Sequence, residues 1–514
     1  MPAACMSASR ASGGARAAMI GAMSSCAFPP RLVVPMDAAA CWQALRARDA
    51  RFDGRFFVGV TSTGIYCRPV CRVRTPAAPN CRFFASAALA EAGGFRPCLR
   101  CRPELAPGLS RCDIEPVLAR AAARLLDEQP ALSPTGLAAR VGVTDRHLRR
   151  VFRDEFGVSP GEYARTQRLL TAKRLLTDTR LPVAEVAYAA GFRSARRLEA
   201  SFNARYGLTP SAVRRSTATG RAGSQAQDAP GFDLAYRPPY DWPWLLGFLA
   251  LRSVSGVEHV DGDRYRRTLR IDATPGRPEV AGWVEVQASP RAPVLHVRVD
   301  PRLLPALPQV LERLRRLLDL ACDPAEVASA LGALAEARPG IRLPGAVDGF
   351  ELAVRAILGQ QVTVRAAHTL AGRIVALLGT PIDTPFGAVT HLFPSAAAVA
   401  DVEPARIAAL GIVSQRARAI VALAAEVAAG RLRLDAAAEP QSTIDALLAL
   451  PGIGDWTAQY VAMRALAWPD AFPATDLGVL KALGVSTRRQ AIEQAQPWRP
   501  WRAYAVMHLW SRSA

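Results

Sequence analysis

The chain has 514 residues, half of them hydrophobic, and a formal charge of +20 that is almost all arginine, Lys173 and Lys481 being the only lysines. That length exceeds one ordinary core and predicts about three or four domains. No run of eighteen apolar residues occurs, which excludes a membrane-spanning helix, and the basic excess favours a polyanionic partner.

Residues 1–35, rich in Ala, Ser, Gly and Arg, lack the continuous apolar segment of a secretory signal. They predict a disordered extension, with Met36 a candidate start. Without export, ten cysteines imply a reducing cytoplasmic setting, with metal-binding or reactive thiols rather than disulfides. Residues 36–112 hold twelve arginines against five acids, and residues 137–215 hold sixteen basic residues against seven acids. Most of the charge therefore sits in two stretches, as a nucleic-acid footprint would place it.

The first of these stretches contains Cys67-x3-Cys71, twenty-six residues, then Cys98-x2-Cys101. Two short-spaced pairs let two loops grip one ion from four thiolates, the tetrahedral arrangement zinc prefers. Four buried structural cysteines are the plainer alternative, but would need no arginines and prolines around each pair. Cys5, Cys26, Cys41, Cys81, Cys112 and Cys322 fall outside the pattern, and the six histidines are scattered. "FFVGVTSTGIYCRPVCRVR" with "NCRFFASAALAEAGGFRPCLRCRPE" resembles the N-terminal zinc domain of the Ada family from Trp42 to Pro103. The resemblance implies that Cys67 accepts a methyl group from a methylphosphotriester in DNA, with Cys71, Cys98 and Cys101 as co-ligands of Zn2+. It also implies a switch: methylation makes the thiolate site less negative by one charge and raises its affinity for DNA.

Residues 113–215 read as an all-α DNA-binding domain. Within it "LAARVGVTDRHLRRVFRDEFGVSPGEY" and "VAYAAGFRSARRLEASFNARYGLTP" form an imperfect repeat of helix, glycine turn (Gly142, Gly191) and second helix. Arg146, Arg149, Arg150 and Arg153 follow the first turn, and Arg193, Arg196 and Arg197 the second, where a helix entering the major groove would carry them. The pair resembles the AraC-type helix-turn-helix domain, implying promoter DNA and, for an activator, RNA polymerase as partners. A plain helical spacer is the alternative. The Ada family's own C-terminal methyltransferase motif, Pro-Cys-His-Arg, has no counterpart, since His never follows Cys here.

The Ser/Thr/Gly/Ala/Gln-rich residues 216–231 predict a linker. Residues 232–310 predict a small half-buried antiparallel α/β unit, with strands at "TLRI" and at "VLHVRV", where Leu295, Val297 and Val299 share one face. Residues 311–514 read as almost entirely helical, so the whole chain is expected to be a multidomain α+β protein.

"LPGIGDWTAQY", residues 450–460, has the form of a helix-hairpin-helix turn: Gly452, Ile453 and Gly454 bring backbone close to a phosphate, and the following helix opens its N–H groups toward that anion. Asp476 follows twenty-two residues after Gly454. With "PPYDWPWLLGFLALRSVSGVE", "ARPGIRLPGAVDGFELAVRAILGQQVTV" and "PWRAYAVMHLW", residues 234–510 resemble the 3-methyladenine DNA glycosylase II (AlkA) family of the helix-hairpin-helix superfamily. The resemblance implies hydrolysis of the glycosidic bond of alkylated purines in double-stranded DNA, with Asp476 catalytic and Trp456, Tyr460, Trp510, Phe248 and Arg252 around the base pocket. Some of these aromatics could instead fill core.

Three departures from the superfamily's patterns carry expectations. Trp456 stands where strand-cleaving relatives have a Schiff-base lysine, so no lyase activity is expected. No cysteine follows Asp476, so no iron–sulfur cluster is expected. Gln361, beside the retained Gln360, stands where relatives place a leucine wedge against DNA. The composite expectation is a monomeric, cytoplasmic alkylation-repair glycosylase fused to a methyl-accepting transcription regulator. The alternative is a regulator whose glycosylase half only binds damaged DNA.

Overall fold

The computed structural model describes residues 38–107, 117–218, 229–273, 278–435 and 437–512. Residues 1–35, Met36, Cys112 and the centre of the linker, 219–228, lie outside the described residues. Among the described residues no helix is long and apolar enough to cross a membrane.

The first unit is built on strands β1 (Phe57–Val60), β2 (Ile65–Cys67), β3 (Cys81–Phe84) and β4 (Arg96–Pro97), in the order β3-β1-β2-β4. The β2–β4 pairing is parallel, with Tyr66 opposite Pro97, and the Cys98 N–H donates to the Tyr66 carbonyl at 3.0 Å. Two parallel strand ends thus deliver Cys67 and Cys98 to one place. This is why pairs twenty-six residues apart in sequence can share an ion.

The second unit repeats one design twice. Helix Pro134–Arg140 turns at Gly142 into helix Asp145–Phe156, and helix Val183–Ala189 turns at Gly191 into helix Ala195–Tyr206. Both turn glycines have positive φ, +74° and +87°, a conformation side chains disfavour. Thr144 and Ser194 cap the second helices, accepting from the N–H of His147 and Arg197. Leu148, Phe152 and Phe156 face inward in one copy, as do Leu198, Phe202 and Tyr206 in the other. The 19-residue helix Pro160–Asp178 joins the copies and opens with a Ser159–Glu162 capping box.

Helix Pro210–Ala218 runs into the stretch read as linker, and Gly231 already belongs to β5, because Phe232 and Leu234 alternate into a core. Strands β5 (Gly231–Ala235), β6 (Glu258–Asp261), β7 (Arg264–Ile271), β8 (Val280–Ala288) and β9 (Val294–Val299) form an antiparallel sheet in the order β5-β9-β8-β7-β6. Leu295, Val297 and Val299 are fully buried on one face. Helices follow to Arg512, interrupted by one short antiparallel pair, Thr380–Pro381 with His391–Leu392, so this region is not wholly helical.

The first helix-turn-helix copy keeps a core of its own with the helix Val117–Glu128, whereas the second shares one continuous core with the sheet and the C-terminal helices. Polar clamps cross the same boundary. The Arg174 guanidinium lies over the Phe232 ring at 5.6 Å and donates to the Asp233 carbonyl at 2.6 Å. Arg55 of the first unit pairs with Asp323 and Glu326, and Arg316 with Glu128.

Candidate functional site

The sulfurs of Cys67, Cys71, Cys98 and Cys101 all lie within 4.8 Å of one another. Sulfurs around a tetrahedral ion at bond lengths of about 2.3 Å stand about 3.8 Å apart, so the cluster fits such an ion with small adjustment. Hydrogen bonding with Cys67 pushes the Cys101 thiol up, while hydrogen bonds with Cys101 pull the Cys98 thiol down and the Cys71 thiol to about 7. Four thiolates this close cannot coexist without a cation.

Around the cluster, the Arg68 N–H donates to the Cys101 sulfur at 3.4 Å, and its guanidinium, paired with buried Asp53, donates to the Cys101 carbonyl at 3.2 Å. From the neighbouring unit Lys173, 1% exposed, donates to the Cys98 carbonyl at 3.1 Å and pairs with Glu104 at 2.7 Å. Burial works against the Glu104 charge, but Lys173 and Arg102 outweigh it and hold the carboxyl below its usual range. Arg102 in turn grips Asp178 at 2.6 Å. A second hub is Glu91, buried between units, which accepts from Tyr66, Thr166 and Tyr206 at 3.1–3.3 Å. Cys67 is 6% exposed, and Cys101 is the least buried of the four.

Arg146, Arg149 and Arg150 project from helix Asp145–Phe156, and Arg196 and Arg197 from helix Ala195–Tyr206, with Arg193 in the turn before it; all are solvent-exposed. Arg149 pairs with Asp145 at 2.7 Å on the helix surface.

The other site is a cleft of 1310 Å³ lined by Arg252, Gln360, Gln361, Gly452, Gly454, Trp456, Tyr460, Asp476 and Trp510, among others. Asp476 caps the helix Leu477–Leu483, one carboxylate oxygen accepting the Val479 N–H at 2.9 Å. That same oxygen accepts the Trp510 indole N–H at 2.9 Å, and the other accepts the Trp456 indole N–H at 2.8 Å. Three donors hold the carboxylate at a fixed angle to the cleft. Trp456, Tyr460 and Arg464 fall four residues apart on one face of the helix Asp455–Arg464. Trp456 stacks on Tyr460 with ring centres 5.3 Å apart and planes at 17°, and Trp510 stands 6.3 Å from Tyr460.

Not every expected residue faces the cleft. Phe248 is buried beneath the Arg252 guanidinium, which covers its ring at 3.8 Å, so Arg252 and not Phe248 forms the surface there. Ile453 is buried and offers only backbone. The Gln360 amide donates to the Gly452 carbonyl at 3.0 Å and to Thr457 at 2.9 Å, bracing the hairpin from the facing loop. Gly452 has φ of +84°, and a Cβ there would stand 3.2 Å from that of Ala419.

Residues the motifs did not reveal hold the cleft from behind. Arg464 donates to the Tyr460 hydroxyl at 2.6 Å and to the Gly345 carbonyl at 3.1 Å. Burial alone would raise the Tyr460 phenol, but the charges of Arg464, Arg252 and Arg355 hold it below its ordinary value. Arg355 bonds Glu258 at 3.0 Å and Glu351 at 2.8 Å, Arg267 bonds both at 2.7 Å, and Arg355 also donates to the Arg252 carbonyl. The one sequence signal for this network was a Glu351/Arg355 pair at helical spacing inside an otherwise apolar helix.

Four family models match the chain: the metal binding domain of Ada over residues 40–104, a helix-turn-helix domain over 137–216, the AlkA N-terminal domain over 231–348, and the HhH-GPD superfamily of base excision DNA repair proteins over 354–496. A "Probable bifunctional transcriptional activator/DNA repair enzyme AlkA" of Mycobacterium tuberculosis is 42% identical over 491 residues, covering 92% of this chain and 96% of that protein. The "DNA-3-methyladenine glycosylase 2" of Escherichia coli K12 is 38% identical over 279 residues, 54% of this chain and 96% of its own length. The "Bifunctional transcriptional activator/DNA repair enzyme Ada" of the same organism is 38% identical over 134 residues, 26% of this chain and 36% of its own. Identity at that level, running through the thiolate cluster, both helix-turn-helix copies and the hairpin cleft, places the chain in the family of bifunctional transcriptional activator/DNA repair enzymes of the AlkA type.

Proposed function

We propose that the chain is a base-excision DNA glycosylase for alkylated purines of the 3-methyladenine type, joined to a DNA-binding transcription regulator that accepts methyl groups at Cys67. The observation that carries the glycosylase half is the Asp476 carboxylate, pinned by two indole N–H groups and a backbone N–H inside an aromatic cleft.

An alkylated purine turned out of the duplex enters between Trp510 and the Trp456–Tyr460 stack. Its ring carries positive charge, and cation–π attraction contributes roughly 0.5–2 kcal/mol. As the C1′–N bond breaks, the base leaves neutral and positive charge develops on the sugar. The Asp476 carboxylate stabilises that charge and orients a water, whose oxygen bonds to C1′ and whose proton passes to the carboxylate and then to solvent. Trp456 carries no amine, so the abasic strand stays intact.

At the other site Cys71, Cys98 and Cys101 would hold Zn2+ together with Cys67. Bound there, the ion keeps the Cys67 sulfur a thiolate, the form that attacks carbon. The sulfur forms an S–CH3 bond as the CH3–O bond of the methylphosphotriester breaks, and the phosphodiester leaves as an anion. One negative charge leaves the protein and one returns to the DNA. The exposed arginines of the two reading helices take promoter DNA, and an activator bound there acts on RNA polymerase. The test is base release from alkylated duplex DNA by the full chain and by Asp476→Asn: release by the first and not the second supports the reading, and binding without release by both overturns it.

A further inference from the structure

A cleft that takes a cationic purine is backed by guanidinium groups. Arg252 and Arg355 line it, and Arg464 reaches the Tyr460 hydroxyl from behind. Arg355 and Arg267 share Glu258 and Glu351, so those charges cancel. Arg252 and Arg464 are different: among the described residues neither has a carboxylate in ion-pair contact. Arg252 donates to the Phe248 carbonyl at 3.4 Å, and Arg464, 4% exposed, to the Pro344 and Gly345 carbonyls and to Tyr460. Those oxygens solvate the two charges without cancelling them. Burial, joined by the charges of Arg464 and Arg355, pushes the Arg252 pKa below its ordinary value although Tyr460 opposes the shift. An uncancelled buried charge costs stability, and two of them beside a cleft mark a functional arrangement.

Their placement opposes that of Asp476. The carboxylate takes the indole N–H groups of Trp456 and Trp510, whereas Arg464 sits at the Tyr460 end of the Trp456–Tyr460 stack. Arg252 stands 6.0 Å from the Trp510 ring centre. Both guanidinium groups lie against Phe248, at 3.8 Å and 5.0 Å from its ring centre. Attraction by the rings holds a cationic base before its bond breaks, and so lowers the barrier little by itself. Repulsion from behind does the reverse, because it acts on the bound cation and vanishes once the base is neutral.

We propose that Arg252 and Arg464 place positive charge behind the bound base, so that repulsion of the cationic purine is released as its charge passes to the sugar beside Asp476. The bonding pair of the C1′–N bond moves onto the base, which leaves neutral, and the charge on the sugar meets the carboxylate. The assignment rests on the glycosylase reading above.

The test compares two duplexes bound by the full chain in mildly acidic buffer, where 7-methylguanine keeps its full positive charge. One carries 2′-fluoro-7-methylguanosine, whose glycosidic bond resists hydrolysis, and the other its neutral isostere with 7-deaza-7-methylguanine. Arg252→Met and Arg464→Met should each shift the affinity ratio about tenfold toward the cation, while single-turnover release of 7-methylguanine at saturating protein slows about tenfold. Arg252→Lys, which keeps the charge, should keep the wild-type ratio. Loss of folding or packing alone weakens both duplexes together and leaves the ratio where it was. An unchanged ratio in Arg252→Met, or the same shift in Arg252→Lys, would overturn the inference even if the wild type releases base. A shifted ratio with no release by the wild type would overturn the hydrolytic reading and leave the repulsion in place.

Discussion

The two reactive sites are built in opposite ways. The thiolate cluster gathers four like groups at and just beyond the ends of two parallel strands, close enough to share one tetrahedral ion. The glycosylase cleft gives one carboxylate three hydrogen-bond donors and surrounds it with rings, with no second acid in its lining. In the proposed reactions, a site that captures a methyl group once depends on the state of its nucleophile. A site that turns over depends on holding one charge at the right angle to a changing substrate. The first should therefore respond to sulfur chemistry and the second to geometry.

The largest effect expected is at Cys67. Cys67→Ser removes both nucleophile and ligand, so transfer of labelled methyl from phosphotriester DNA should fall to background; wild-type labelling would move the acceptor to another thiol, Cys101 being the least buried of the cluster's other three. Next is Asp476→Asn, which keeps the cap acceptor but loses the charge and should lower base release by a factor of about 10² or more while abasic DNA still binds. Trp510→Phe sharpens the geometric claim: the ring remains but one indole donor to Asp476 is gone, and single-turnover release should drop about tenfold. A full rate in that variant would mean that the carboxylate needs no such orientation.

The smallest effect concerns the contact between the halves. Lys173→Met leaves Glu104 buried with Arg102 as its remaining partner, a loss of roughly 3 kcal/mol to the seam between the zinc-type unit and the helix Pro160–Asp178. Hydrogen exchange should show β1–β4 opening earlier than in the wild type, and removal of the metal by a chelator should produce the same pattern more strongly. Unchanged protection in the variant would separate the metal loop from its neighbour.

Those contacts mark what could be read in the chain and what could not. The cysteine pairs, the glycine turns at Gly142 and Gly191, the hairpin glycines and Asp476 follow local spacing rules, so short windows of sequence expose them. The Arg267–Glu351 and Lys173–Glu104 pairs join residues 84 and 69 positions apart, and no local period announces them. Phe248 illustrates the limit differently: its ring lies near the site, but Arg252 one turn later covers it, and packing decides which of the two faces the cleft.

On this reading two independent chemistries share one chain. A duplex carrying one methylphosphotriester with a labelled methyl group and one 7-methylguanine tests it directly, incubated with wild type, Cys67→Ser or Asp476→Asn. The prediction is that wild type gives both labelled protein and free base, Cys67→Ser gives free base only, and Asp476→Asn gives labelled protein only. Loss of both products in either variant, or free base from Asp476→Asn at the wild-type rate, would contradict it.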